Sequence, residues 1–504
     1  METKIQMLPG EFWYGLVAMH GTDFPLHAGS TYSHHATKVY TGNQENPVLL
    51  SSQGRYLWSE KPYDVDIAEG VISITNAAED FALYEGFSTL RGAFLAASSR
   101  HFPANGKIPP ENFFIKPQYN TWAELIYDQT QKSILGYAHG ILDNNMPAGI
   151  LMIDDGWMRY YGNWKFNPAT FPDPKAMLDE LHDLGFEVML WIVPFVSPDS
   201  PEYRELSAKK MLVRRPDGKD AIRWWWNGWS ALLDMSNPET CAWFDARLKE
   251  LMDMGVDGFK FDAGDASSYE DDDVTFGNVS AHDQCTIWAA LGDRYAYNEY
   301  RATYKCAGLP LVERLCDKAH QWASVSRLVP DALQQGICGY AYVCPDMIGG
   351  GSFTDFLPDA PSLKPELFSR YAQVAALMPM MQYSAAPWRV LEEEYAEICR
   401  AAGRLHVKFA DKIINLARAS SHNNEPIMRY MEYVFPGEGF EAVNDQFMVG
   451  DDLLVAPVVM DGARTKEVRL PKGNWEYCDG TVYEGSQTVT VPAPLEVLPY
   501  FIKK

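Results

Sequence analysis

The spacing of hydrophobic and polar positions divides the chain into three regions. Between residues 1 and 110, short runs such as 64–67 and 71–75 alternate apolar with polar residues and are separated by Gly, Asn and Ser. This two-residue period is typical of β-strands with one buried face. The same kind of pattern returns between residues 421 and 504, for example at 488–491. We therefore predict a β-sandwich domain at each end of the chain, and we expect the first to be all-β.

The middle region, residues 111–420, alternates strand-like and helical patterns. Apolar runs at 148–153 and 186–194 flank a helical pattern at 174–182, and another strand-like run follows at 258–261. Repeated strand–helix units favour a parallel sheet, and acids and tryptophans at the carboxyl ends of strands are typical of a (β/α)8 barrel. We predict an α/β fold with such a TIM barrel between the two β-domains. An open doubly wound sheet is the alternative, although no Gly-rich phosphate loop supports it.

Two carboxylates stand at the ends of strand-like runs. Asp262 ends the apolar run 258–261, and Asp317 follows the short apolar run 309–312. A carboxylate at the end of a buried strand is unfavourable unless it is paired or functional. Retaining glycoside hydrolysis requires two such acids. The alternative interpretation is that each Asp only caps the helix that follows it.

Composition narrows the classes of partner. A net charge of -24 over 504 residues repels nucleic acids and anionic membranes. No segment has the length of a membrane span, and the first residues lack the pattern of a secretory signal, so we expect a cytoplasmic protein. The eight cysteines show no metal-ligand spacing, which indicates reduced thiols. The 15 tryptophans suit a site in which aromatic rings pack on sugar faces.

The order of several separate motifs between residues 116 and 459 resembles glycoside hydrolase family 31. The motifs are residues 153–157, 166–174, 190–195, 259–262, 345–350 and 450–458. The resemblance implies that Asp262 is the nucleophile, which forms a covalent glycosyl-enzyme, and that Asp317 is the general acid and later the base. It implies a retaining α-glycoside hydrolase that acts on a small oligosaccharide or α-glycoside, with neither a cofactor nor a metal ion. We expect the pKa of Asp317 to rise beside the charged nucleophile, with the two carboxyl groups roughly 5–5.5 Å apart.

The same resemblance assigns further acids and aromatic residues to the sugar. Asp154 matches the position that binds hydroxyl groups far from the anomeric carbon, and Asp155 either shares that work or caps the next helix. Trp191 is expected to form an aromatic wall of the pocket, and Trp122 is a further candidate for substrate binding. Asp346 is expected to point into the site, and the alternative is an Asp that only stabilises a turn.

Other candidates depend on their local context. Lys260 lies two residues before the nucleophile and helps to keep that carboxylate ionised. Arg314, three residues before the general acid, is a candidate for binding a sugar hydroxyl or for an ion pair with a pocket carboxylate. Trp224 and Trp226 belong to the tryptophan-rich run 222–229. We interpret this run as a wall for the sugar or its aglycone, and the alternative is a hydrophobic plug over the barrel.

Departures from the common family pattern bear on the identity of the sugar. The segment 380–389 lacks the pocket histidine of typical α-glucosidases, and Arg301 has the separation but not the surroundings of the family's upstream arginine. The segments around Asp262, Asp317 and Asp346 instead resemble the α-galactosidase-like branch. We therefore predict an exo-acting α-galactosidase. The alternative sugars are α-glucose, α-xylose, quinovose and sulfoquinovose, and a transglycosidase that uses the same two acids stays open.

Two other classes of protein compete with a glycosidase. A metal-dependent barrel enzyme could hold Mg²⁺ through Asp154, Asp262 and Asp265, because oxygen ligands at strand ends suit that ion. That class leaves the tryptophan-rich run without a role. A non-catalytic sugar-binding protein is expected to lack one of the two acids, and both are present. The oligomeric state is left open, with a homo-oligomer as one option.

Overall fold

Eight short parallel strands form a nearly closed barrel in the middle of the chain. The computed structural model describes residues 2–38, 40–357, 360 and 363–504. In chain order the barrel strands are β1 (Gln118–Asn120), β2 (Ile150–Ile153), β3 (Glu187–Ile192), β4 (Gly258–Phe261), β5 (Tyr297–Tyr300), β6 (Glu313–Arg314), β7 (Val343–Cys344) and β8 (Gln382–Tyr383). They pair in the order β7-β6-β5-β4-β3-β2-β1-β8, and the backbone N–H of Ile348, after β7, donates to the carbonyl of Gln382 in β8 at 2.8 Å. The predicted TIM barrel is thereby confirmed.

The register of the central strands directs polar side chains to one place. Trp191 of β3 lies opposite Lys260 of β4, which lies opposite Glu299 of β5 on its other side. Paired residues of neighbouring parallel strands point to the same face of the sheet. Trp191 and Lys260 line the cavity at the carboxyl end of the barrel. Asp262, the first residue after β4, therefore stands at the edge of that cavity.

Helices alternate with the barrel strands along the chain. Several of them are capped at the first turn by a polar side chain, as where Asp173 accepts a hydrogen bond from the N–H of Ala176. Three 3-10 turns lie at Ala266–Ser268, Leu291–Arg294 and Phe353–Phe356. The α-helices of this region are Trp122–Leu125, Gln131–Asp143, Pro174–Asp183, Pro201–Ala208, Pro238–Met254, Ala281–Ala290, Trp322–Ile337, Pro365–Ala376, Pro387–Val390 and Glu393–Asn423.

The N-terminal region contains two antiparallel sheets with a shared apolar core. Its first 90 residues also hold a 3-10 segment, Ala18–Asp23. The expectation of an all-β region is wrong for Leu90–His101, which is an α-helix capped by the side chain of Thr89, and the short helix Asn112–Ile115 follows. The four-stranded sheet is Thr3–Gln6, Val71–Thr75, Asp64–Ala68 and Tyr32–His35, and the five-stranded sheet is Leu26–His27, Phe12–Val17, Glu45–Ser51, Tyr56–Trp58 and Ala82–Tyr84.

The C-terminal region is again built from antiparallel strands. A short helix, Met431–Val434, packs with the strands around a separate apolar core. The predicted domain limits at residues 110 and 420 stay predictions. The six-stranded sheet is Met428–Arg429, Phe447–Val449, Leu453–Val455, Tyr500–Lys503, Asn474–Tyr477 and Val482–Glu484, and Thr465–Leu470 pairs with Gln487–Pro492.

A three-stranded insertion between β3 and β4 reaches over the barrel. Phe195–Val196 and Ile222–Trp225 both pair antiparallel with Gly228–Leu232. The last two of these strands form a hairpin whose two-residue turn is Trp226-Asn227. Gly228 follows the turn with a φ of +93°, a value that glycine adopts without strain. The turn therefore presents Trp226 and Asn227 at the mouth of the cavity, which both residues line.

The cysteines and the helices bear on two further points, disulfide bonding and membrane insertion. All eight cysteines lie in the described part of the chain, and all are free thiols. Of the helices that the structure describes, none combines the length and the apolar character that a membrane span requires.

Candidate active site

A cavity of about 650 Å³ opens at the carboxyl end of the barrel strands. This is the end at which TIM barrels place their functional residues. The barrel below it is filled by buried side chains, so the cavity is a pocket and not a channel. Most of the residues that the sequence predicts for the site line it, namely Trp122, Asp154, Asp155, Trp191, Trp226, Lys260, Asp262, Arg314 and Asp317.

Asp262 is held by donors on several sides. Its carboxylate accepts hydrogen bonds from Arg301 Nε at 3.1 Å, Trp191 Nε1 at 3.0 Å and the backbone N–H of Ala263 at 2.8 Å. Burial alone would raise the pKa of Asp262, but the Arg301 guanidinium and the Lys260 ammonium outweigh it and hold that pKa well below the usual range. The group is therefore an ionised, oriented carboxylate, which is the state that a nucleophile needs.

Lys260 joins two of the pocket carboxylates. Its Nζ donates to Asp154 Oδ2 at 2.7 Å and lies 3.9 Å from Asp262 Oδ2. Burial lowers the pKa of this lysine, but the charges of Asp154 and its other acidic neighbours outweigh burial and raise it. The ammonium therefore stays charged, and its closer partner is Asp154.

Asp317 lies across the pocket in a different environment. Its side chain is 49% exposed, and its Oδ1 accepts a hydrogen bond from Arg314 Nη1 at 2.8 Å. Its surroundings desolvate the carboxyl and raise its pKa, but Arg314 and Lys260 outweigh this, and the net pKa is lowered. The expected rise is thus wrong, because the charges of Arg314 and Lys260 and the hydrogen bond from Arg314 outweigh the repulsion from Asp262.

Asp346 does not line the pocket, contrary to prediction. It is fully buried, and its two oxygens accept hydrogen bonds from the backbone N–H groups of Lys318 at 2.7 Å, Met347 at 2.7 Å and Gly351 at 3.1 Å. It also accepts from Arg314 Nη1 at 3.0 Å. Burial and the neighbouring Asp317 raise the pKa of Asp346 to about 7. This side chain ties the loops after β6 and β7 together beneath the site, because three backbone donors turn it away from the cavity.

Asp154 and Asp155 occupy the side of the pocket beyond Lys260. Asp155 accepts hydrogen bonds from the hydroxyl of Tyr161 at 3.0 Å and from Asn227 Nδ2 at 2.5 Å. Burial and the charge of Asp154 raise the pKa of Asp155 to about 6. The next helix begins at Pro174 and is capped by Asp173. Helix capping is therefore ruled out for Asp155, which faces the cavity.

The tryptophan-rich hairpin contributes one ring to the pocket and leaves another outside. Trp226 lines the cavity with 55% of its surface exposed, and the Arg301 guanidinium lies 5.6 Å from its ring centre. Trp225 is buried and stacks on Trp191. Trp224, predicted at the pocket, is 66% exposed and packs against Trp229. Successive side chains of a strand point to opposite faces, so Trp224 and Trp225 cannot both face the pocket.

The residue that sequence reasoning set aside is Arg301. It follows β5, donates to Asp262, and makes a two-point ion pair with Asp265 at 3.0 and 2.9 Å. Its position at the end of a barrel strand was the available signal. Asn227 and Tyr127 also line the cavity. They come from loops, where no hydrophobic period marks a position.

The residues proposed for a magnesium site do not fit that ion. Asp154 is paired with Lys260, and Asp262 and Asp265 are both paired with Arg301. A divalent cation there would meet two fixed positive charges. Within the described ranges, the cluster of acids close enough to share an ion is Glu270, Asp272 and Asp273, none of which lines the cavity.

Comparison with known families gives the class to which the chain belongs. Residues 117–314 and 315–416 match the glycosyl hydrolases family 31 TIM-barrel domain, and residues 424–504 match the glycosyl hydrolase family 31 C-terminal domain. The chain belongs to glycoside hydrolase family 31. The residues before 117 lie outside both matches.

Individual relatives are similar over most of this chain. It is 31% identical over 418 residues to the myogenesis-regulating glycosidase of Mus musculus, covering 80% of this chain and 58% of that protein. It is 24% identical over 425 residues to an alpha-xylosidase of Emericella nidulans, covering 76% and 52%. The chain thus spans a little over half the length of these relatives. A Flavobacterium johnsoniae GH31 dextranase, solved in complex with glucose, superposes with a TM-score of 0.84 at 21% identity, covering 100% of this chain and 66% of that chain, which shows the shared fold.

Proposed function

We propose that this protein is a retaining, exo-acting α-glycoside hydrolase and that its preferred substrate is an α-D-galactoside. The observation that carries the proposal is the contrast between two carboxylates facing one cavity. Asp262 is buried, fixed by several donors and ionised. Asp317 is half exposed and accepts a hydrogen bond from Arg314. Such a pair suits a nucleophile and an acid–base group, respectively.

In the first step, an Asp262 oxygen attacks the anomeric carbon as the bond to the leaving oxygen breaks. Asp317 gives its proton to that oxygen, so the aglycone leaves as a neutral alcohol. A bound sugar covers the half-exposed Asp317 and removes water from it, which raises its pKa. Substrate binding therefore shifts the pKa of Asp317 in the direction that a general acid needs.

In the second step, Asp317 acts as the base. Formation of the glycosyl ester removes the negative charge of Asp262, and that charge is one of the influences that raise the pKa of Asp317. The pKa of Asp317 therefore falls when the intermediate forms, and the carboxylate accepts a proton from water. Water attacks the anomeric carbon from the face that the aglycone left, so the product keeps the α-configuration.

The charge pattern of the pocket favours a neutral sugar. Among the described residues that line it, the cationic side chains are Lys260, Arg301 and Arg314, and each is hydrogen-bonded to at least one carboxylate. A sulfonate or carboxylate on the sugar would have to displace one of these partners. Of the alternative sugars, sulfoquinovose is therefore the least compatible with this pocket, whereas galactose, glucose and xylose are neutral.

The choice of galactose rests on the motif resemblance. An α-glucoside and an α-xyloside are the runners-up, because the relatives and solved structures include an alpha-xylosidase and a dextranase. The exposed rings of Tyr127 and Trp226, together with Phe353, surround the mouth of the pocket. Aromatic rings pack on the apolar faces of sugars, so the aglycone side suits a second neutral sugar or an aryl group.

A panel of 4-nitrophenyl α-glycosides tests this proposal. We expect kcat/KM for the α-galactoside to exceed that for the α-glucoside and the α-xyloside by at least about 10-fold, the scale of an unmatched polar contact. The α-sulfoquinovoside should be the poorest member. Asp262→Ala, purified in the same way, is the variant that tests the assignment of the nucleophile.

Each outcome of the panel has a distinct meaning. A preference for the α-glucoside or α-xyloside would overturn the choice of galactose and keep the mechanism. A preference for the sulfoquinovoside would overturn the charge argument. Release by the wild type and by Asp262→Ala at equal rates would refute the assignment of the nucleophile.

A further inference from the structure

A short segment of the N-terminal region lies against the barrel directly behind the proposed catalytic residues. Residues 42–44 directly precede the strand Glu45–Ser51, at the end of the connection from the strand Tyr32–His35 of the other sheet. Asn43 is 2% exposed and Gln44 is fully buried, although both have polar side chains. A buried amide is retained when its hydrogen bonds are satisfied. The segment precedes the residues that match the family domains.

The amide of Asn43 connects the ends of two barrel strands. Its Oδ1 accepts a hydrogen bond from the backbone N–H of Cys316 at 3.0 Å, and its Nδ2 donates to the carbonyl of Arg301 at 3.0 Å. Gln44 Nε2 adds bonds to the carbonyls of Arg301 at 2.8 Å and Arg314 at 3.0 Å. These bonds hold the main chain at the point where β5 and β6 end.

The same segment also touches an arginine side chain of the pocket. The carbonyl of Gly42 accepts a hydrogen bond from Arg301 Nη1 at 2.5 Å. A Cβ at Gly42 would lie 2.8 Å from that nitrogen, so a side chain at this position would displace the end of Arg301. Arg301 in turn donates to Asp262. One segment of the N-terminal region thus contacts the partner of the nucleophile and the residue immediately before Asp317.

We propose that Asn43 is a positioning residue that fixes the general acid Asp317 relative to the nucleophile Asp262. The inference rests on the proposed function for the roles of the two acids. Asp317 needs such support because β6 is only two residues long and ends at Arg314, and the side chain itself is half exposed. Without the bond from Cys316 N–H to Asn43, the main chain directly before Asp317 loses a hydrogen bond to the N-terminal region. A misplacement of about 1 Å of a catalytic group costs on the order of 10²-fold in rate.

Substrates with different leaving groups distinguish this positioning role from a purely structural one. Expulsion of a sugar or alkyl aglycone needs a proton from the general acid, whereas fluoride leaves with little help. For the sugar that the panel selects, we expect Asn43→Ala to lower kcat/KM about 10²-fold on a disaccharide and less than about 3-fold on the α-glycosyl fluoride. A structural defect would lower both rates together.

Asn46→Ala is the matched control. Asn46 is equally buried, lies in the same part of the N-terminal region, and donates its Nδ2 to the carbonyl of Cys338 at 2.7 Å, away from the lining of the pocket. It should lower kcat/KM on both substrates by less than about 3-fold, since it removes a buried amide without touching the loop of Asp317. Equal losses on both substrates in Asn43→Ala, or equal leaving-group effects in the two variants, would overturn the proposal.

Amide hydrogen exchange gives a readout that does not depend on activity. We expect a peptide containing Cys316 to exchange faster in Asn43→Ala than in the wild type and in Asn46→Ala, because its N–H loses its acceptor. Unchanged exchange there would overturn the positioning role. If the wild type cleaves neither substrate, the proposed function fails, and the exchange result still decides whether Asn43 holds this loop.

Discussion

Asp262→Ala is expected to lower kcat/KM for the preferred α-glycoside by about 10⁵-fold, the scale seen when a nucleophile is removed from a catalytic unit. The variant keeps Arg301, Trp191 and Lys260, which in the wild type surround the carboxylate. It loses the oxygen that forms the covalent bond. The measurement is the initial rate of 4-nitrophenol release at high protein concentration.

Two further experiments test whether the loss of activity in Asp262→Ala reflects the loss of the nucleophile. Azide, which fits the space left by the carboxylate, should restore cleavage in Asp262→Ala and give the β-glycosyl azide, because it attacks from the face that Asp262 occupied. Asp265→Asn is the matched control, since Asp265 also pairs with Arg301. It should lower kcat/KM by only about 10-fold, the scale of one charge-assisted hydrogen bond. Full activity in Asp262→Ala, or an α-azide product, would contradict the assignment.

Asp317→Ala is expected to lower kcat/KM about 10³-fold for a substrate with a sugar leaving group, within the usual range for a general acid. The loss should shrink for a 2,4-dinitrophenyl glycoside, whose leaving group needs no proton. Azide should then accelerate turnover of the activated substrate and give the α-azide, because it replaces the water that Asp317 activates. A loss of the same size on both substrates would show that Asp317 does not donate the proton.

The pH profile of kcat, which reports the groups that titrate in the substrate complex, provides a second test of Asp317. The pKa of Asp262 lies well below the usual range, so the nucleophile stays ionised and activity is lost only when the pH falls far below neutrality. The alkaline limb should report the acid form of Asp317 and should disappear in Asp317→Ala. Asp346, with a pKa near 7, and Asp155, with a pKa near 6, are other groups of the site that titrate there. Asp346→Asn should therefore keep the alkaline limb, and loss of the limb in that variant would move the assignment to Asp346.

The barrel and its two acids could be predicted because they depend on local patterns. A buried strand followed by a carboxylate, as at Phe261 and Asp262, places that carboxylate at the carboxyl end of a parallel sheet. The spacing of Lys260 from Asp262 on one strand likewise places the two side chains on the same side. These features require no knowledge of which distant segments meet.

Other features depend on contacts between distant parts of the chain. Asn43 reaches Cys316 across 273 positions, and no period in either segment indicates that they meet. The direction of Asp346 is set by three backbone donors, and the direction of Trp224 by the position of the turn in its hairpin. The lowered pKa of Asp317 depends on the side-chain conformation of Arg314. None of these is visible in the order of residues alone.

The reaction is expected to proceed through a glycosyl ester on Asp262 and therefore to retain the α-configuration. Proton NMR of the anomeric signals during the first minutes of hydrolysis, before mutarotation, tests it most directly. We predict that the α-anomer of the free sugar appears first and that the β-anomer follows only by mutarotation. Initial release of the β-anomer would show direct attack by water and would contradict the account.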